Sequence, residues 1–125
     1  MEDTTENVQD SKEVKVEDSI LLSIKKLLGI SKDYTQFDAD IIMHINSVFM
    51  ILSQLGVGPV NGFRIMDESA VWTNYISDKD NLDAIKSYMH LKVKILFDPP
   101  LSSTVMEAHQ QMIRELEWRL NVETE

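Results

Sequence analysis

Residues 38–59 read DADIIMHINSVFMILSQLGVGP, and the spacing of their apolar side chains decides the fold. At about 100° per residue, Ile41, Ile42, Ile45, Val48, Phe49, Leu52 and Leu55 share one broad arc, which predicts an amphipathic helix over 39–55 with that arc as its core face. Asp38 is placed to cap its first amides, and Phe37, just before the cap, to pack on Ile42 as a hydrophobic staple. Gly56 stops it. Met43 and Met50 fall on the opposite side, among Asn46, Ser47, Ser53 and Gln54, and make a second, narrower apolar stripe.

Toward the N terminus the same logic gives an earlier helix from Ser19. Ile20, Leu21, Ile24, Leu27 and Leu28 lie on one side, with Ser23, Lys25 and Lys26 on the wet one. Asp18 is its expected cap, and Gly29 followed by Ile30 fits a left-handed stop with an apolar residue folding back behind it. Before it, residues 1–18 form an acidic arm with seven acids against Lys12 and Lys15, more than half of the chain's net charge of −9. Apart from Met1, only Val8, Val14 and Val16 are apolar in the arm, too little burial to offset the backbone entropy of ordering, so a flexible arm is expected. It has no basic start, apolar block and small-residue cleavage site, so it does not read as a secretory signal.

Toward the C terminus, Gly56, Gly58, Pro59, Asn61 and Gly62 mark an elaborated loop. Phe63–Met66 reads as a short extended piece, and Ala70–Ile76 as a short helix, with a strand as the alternative. A third main helix should run from Asn81, after Asp80, to Phe97, because Pro99 disfavours helical geometry at Asp98. Leu82, Ile85, Met89, Val93, Leu96 and Phe97 are its expected buried side, and Asp83, Lys86, Ser87, His90 and Lys94 its wet side. A fourth helix follows Ser102–Thr104, with Thr104 and Glu107 at capping-box spacing, and continues to about Val122. Val105, Met112, Ile113, Leu116 and Leu120 form its stripe; Trp118 lies off it. Residues 19–125 thus read as one all-α domain of four main helices with an elaborated loop between the second and third.

Composition narrows the function. With 125 residues, 43% of them hydrophobic, the chain has room for one ordinary domain. The most apolar stretch, Ile41–Leu55, is interrupted by polar residues and falls short of the roughly 18 apolar residues of a membrane span. An acidic chain is poorly suited to gripping phosphate backbones, since that affinity comes from lysine and arginine displacing counterions. No cysteine is available as nucleophile or ligand. His44, His90 and His109 show no metal-ligand spacing, and the glycines of the loop precede Phe63 and Arg64 rather than a phosphate-binding lysine. Asp38 and Asp40, two apart, do not face each other on a helix. No catalytic, cofactor or metal residue is therefore assigned. The residues singled out are interface candidates: Met43, Met50, Val57, Phe63, Trp72 and Trp118.

Four strings, ILLSIKKLLGI (20–30), DADIIMHINSVFMILSQLGVGP (38–59), LKVKILFDPPLSS (91–103) and ELEWRLNV (115–122), resemble in order and spacing the small head-to-tail connector proteins of tailed phages, also called adaptor or head-completion proteins. The resemblance covers Ile20 to the C terminus. It implies a structural subunit, not an enzyme, that forms a ring, twelve-fold in the virion, below the portal protein. That ring prolongs the DNA channel without binding DNA specifically and receives a stopper or tail-completion protein. It also implies a place in the virion neck after assembly in the bacterial cytoplasm. The arm is longer than the family pattern and takes no role from it. The alternative is a small acidic helical regulator or antitoxin-like protein that binds a protein partner through a helix groove.

Overall fold

Helix α1 (Ile20–Leu27) opens the fold, and its cap sets the first long-range contact. The cap is Ser19, not Asp18: its Oγ accepts from the Leu22 amide at 3.1 Å and donates to the Glu68 carbonyl at 2.8 Å. The shift of one residue follows from Asp18 being held by its backbone, whose carbonyl accepts from the Trp72 amide at 3.0 Å. With the Ile20 amide donating to the Ala70 carbonyl at 3.0 Å, this makes one antiparallel bridge between Ser19 and Val71. At the far end Gly29 takes φ +81°, its amide donates to Lys26 and the Ile30 amide to Lys25, the stop expected there.

The structure, a computed structural model, describes residues 14–77 and 79–123, with the backbone alone at Asp80 and Glu123. Most of the acidic arm lies outside the described residues; Lys15–Asp18 form a turn leading into α1. The remaining helices are α2 (Asp38–Gln54), α3 (Trp72–Tyr75), α4 (Lys79–Phe97) and α5 (Ser103–Glu123). Among the described residues the fold is all-α, four main helices plus the short α3, with no strand. Phe63–Met66 is irregular rather than paired. Helix α4 is the hub: α1, α2 and α5 all pack on it, and α1 also packs on α2.

The core face of α2 is the predicted one, with Ile41, Ile45, Val48, Phe49 and Leu52 all fully buried against α1 and α4. Its N-terminal end differs. The cap position is Phe37, without a side-chain cap hydrogen bond, because the Asp38 carboxylate turns to Lys25 instead, at 2.8 Å. Lys25 was expected on the wet side of α1, yet it is 0% exposed. Its ammonium is satisfied there by Asp38, by the Tyr34 carbonyl at 2.8 Å and by the Lys32 carbonyl at 3.3 Å. The Phe37 ring meets Phe97 edge-on at 5.3 Å and Tyr34 at 5.6 Å.

Helix α4 starts at Lys79, two residues before the expected Asn81, so Asp80 lies inside it rather than before it. It stops at Phe97 as the prolines require. Ile85, Met89 and Val93 are buried as read; Tyr88 joins them, and Leu96, expected on the same side, is half exposed. Helix α5 is capped by Ser102, whose Oγ accepts from the Val105 amide at 3.3 Å, and not by Thr104, which is already inside the helix. Because α5 leans chiefly on α4, only Ile113 and Leu120 of its stripe are fully buried, while Val105 and Met112 stay about half exposed.

Candidate functional site

The outer side of α2 and the loop that follows it form an open groove of about 870 Å³. Its floor is the second stripe: Met43 is 57% exposed and Met50 60%. Its wall is Asn61, Gly62, Phe63 and Arg64. Two devices hold that wall. The Asn46 side chain accepts from the Ile65 amide at 2.8 Å and donates to the Ile65 carbonyl at 3.0 Å, a side-chain amide acting as a neighbouring strand would. The buried Ile65 side chain then anchors the segment in the core.

Phe63 is the second device. Its ring packs on Phe49 at 5.1 Å and Tyr75 at 5.2 Å, so it is half-buried and serves core and groove together. Behind it Gly58, at φ +90°, runs so close to Tyr75 that an added Cβ would lie 2.6 Å from the ring. Burial pushes the Tyr75 phenol up to about 12, keeping it a neutral core group.

Of the six interface candidates, Met43, Met50 and Phe63 are brought together in this groove. Val57, 7% exposed, and Trp72, 2% exposed, are core side chains of the subunit and leave the surface set. Trp72 is held by its indole N–H donating to Ser23 Oγ at 2.9 Å, with the Lys86 ammonium 5.6 Å from the ring centroid. Trp118 stands apart on α5, 67% exposed, beside the Glu115–Arg119 ion pair of 2.8 Å. Asn46 and Arg64 escaped the sequence reading; the signal available was an amide in mid-helix opposite a glycine-rich loop.

Among the described residues Arg64 is the one ionic side chain lining the groove, so they place no acid–base pair there for proton transfer. Tyr88 donates to Glu117 Oε2 at 2.7 Å, tying α4 to α5, and burial together with that carboxylate raises its pKa. His90 is held below the usual imidazole range by burial first, then by His109 and Lys94, against a hydrogen bond to the Leu27 backbone that favours its charged form. A smaller cleft between the turn before α1 and α4 is lined by Glu17, Asp18, Lys79, Asp83 and Lys86, charges of both signs. Among the described residues no three His, Cys, Asp or Glu side chains gather as a metal site would need, and no helix is long and apolar enough to cross a membrane.

The polar inventory is thus one of capping, clamping and pairing, with apolar surface left over on α2 and α5. No curated protein and no solved structure matches the chain. A family model described as phage connector protein matches residues 20–125, from the first residue of α1 through all five helices. Its start coincides with the point where the acidic arm gives way to the packed helices. By that match over most of its length, the chain belongs to the phage connector protein family.

Proposed function

We propose that this connector is a ring-forming subunit of the virion neck, docked below the portal protein, lengthening the DNA channel and receiving the tail-side component. It acts without catalysis. The observation that carries the ring is the uncovered apolar surface lying on two different helices, Met43 and Met50 on α2 and Trp118 on α5. A ring needs two unlike patches per subunit, each meeting the other kind on a neighbour, and faces on two separate helices supply them. The net charge of −9 supports passage of DNA without retention, since phosphates would be repelled rather than neutralised.

The test is a phage lacking the gene, examined by electron microscopy. Full-size capsids and finished tails left unjoined, with packaged DNA poorly retained, is the expected outcome. Normally joined particles would remove the neck assignment, and firm DNA binding by the purified protein at physiological salt would remove the passive channel.

A further inference from the structure

Shape separates the two uncovered faces. The α2 face is a groove with methionines along it beside a clamped loop, whereas on α5 the most exposed apolar side chain is the Trp118 indole, standing out from the helix. We infer that Trp118 of one copy seats in the Met43–Met50 groove of a second copy of this chain, so that the contact runs head to tail. Closure of such contacts into a ring rests on the function proposed above; the pairing itself does not.

The chemistry of the two faces matches. Methionine side chains adapt to an inserted shape, and thioether sulfur favours the edge of an aromatic ring. Ser47 and Ser53 line the same groove and offer hydroxyl oxygens to the indole N–H. Trp118 makes no ring contact within its own subunit among the described residues. The other exposed aromatic rings are already engaged, Tyr34 on Phe37 and Phe37 on Phe97.

Charge points the same way. Copies carrying −9 each repel, and they meet most easily where ionic groups are fewest. From Ile41 to Gln54 helix α2 has no Asp, Glu, Lys or Arg, and beside Trp118 the charges of Glu115 and Arg119 offset each other. A groove-to-groove dimer would instead set two concave surfaces together and bring the two Arg64 side chains toward each other. Area decides the strength. An indole side chain supplies on the order of 150 Å². With the two methionines added, the pair falls well short of the roughly 1,200 Å² of a stable two-body interface. One such contact is weak, and only a subunit engaged on both faces is held firmly.

The chain has no cysteine, so single thiols report position cleanly. Ala39→Cys, in the groove lining one helical turn before Met43, and Arg114→Cys, one helical turn before Trp118, leave both apolar faces intact. Purified full-length chains of the two kinds are mixed and treated with a short bismaleimide. The expected product is a dimer joining the two kinds, at least ~10-fold above that from either variant alone, and falling about as far when Trp118→Ala is added to the Arg114→Cys chain. Circular dichroism of the variants should be unchanged. Absence of the mixed product, or indifference to Trp118→Ala, overturns the docking pair even if native mass measurement finds rings. A chain carrying both thiols separates the two ideas: a ladder beyond the dimer supports head-to-tail closure. A product that stops at the dimer keeps the pair, as a reciprocal two-fold contact, and removes the ring.

Discussion

Lys25 shows how one residue can carry a connection. Its ammonium, sealed from solvent, gathers Asp38 at the start of α2 and the carbonyls of Lys32 and Tyr34, so the polar stretch between α1 and α2 folds around a single cation. Removing one partner of a buried pair costs more than the pair itself contributes, because the other is left uncompensated. Lys25→Met, which keeps most of the stem, should lower unfolding free energy by about 3 kcal/mol in urea titrations. A loss under about 0.5 kcal/mol would mean that water, not Lys25, satisfies those groups. Gly58 and Gly29 make a second contrast. Both have positive φ, but the Gly29 Cβ direction is open while that of Gly58 ends on the Tyr75 ring. Gly29→Ala should cost about 1 kcal/mol of backbone strain, and Gly58→Ala clearly more, read as a larger fall in thermal midpoint. Equal falls would show that the loop simply moves off Tyr75. Lys25 was misread from sequence because a helical wheel counts charge, whereas its burial depends on carbonyls seven and nine residues on.

At the scale of elements, signals local to a few residues were legible and those made across the fold were not. The core face of α2, the glycine stop of α1 and the proline stop of α4 follow from periodicity and backbone sterics alone, and all three stand. The caps of α1 and α5 slipped by one and two positions, since serines and acids crowd both starts and only the tertiary partner, such as the Glu68 carbonyl on Ser19, chooses among them. Half of the groove could be read as a stripe of methionines; its wall could not, because the Asn46–Ile65 clamp joins residues nineteen apart. The junction of α1 and α4 also carries a pH dependence. His90 is harder to protonate when folded than its ordinary value of 6.5, so the unfolded chain binds more protons near that pH. Its contribution is fully present above about pH 6.5 and is lost as pH falls from there through the lower folded value. Urea midpoints between pH 7.5 and 5 should therefore fall less for His90→Gln than for the natural chain; identical slopes would exonerate His90.

For the whole molecule, charge and thinness of contact act together. Helix α5 is held chiefly by α4, by Tyr88–Glu117 and by Asn121 donating to the Leu55 carbonyl at 3.2 Å, so it belongs to the least protected part of a free subunit. Self-association must also overcome the repulsion of like acidic chains. Raising salt from about 0.02 to 0.2 M shortens the Debye length and should strengthen oligomer formation in sedimentation velocity, the opposite of what an assembly held by surface ion pairs would do. Weakening with salt would assign the contacts to charge rather than to the apolar faces of α2 and α5.

The Asn46 clamp also changes the entropy of the segment it grips. Pinned at Ile65, the connection from α2 to α3 closes as two short tethers instead of one long one, and each has its own closure cost. The first tether, which holds the groove wall, is thereby uncoupled from the second, which delivers Trp72 to the core. A change of length at Val60, fully exposed within the first tether, is therefore absorbed before Ile65 and does not reach the packing of Trp72.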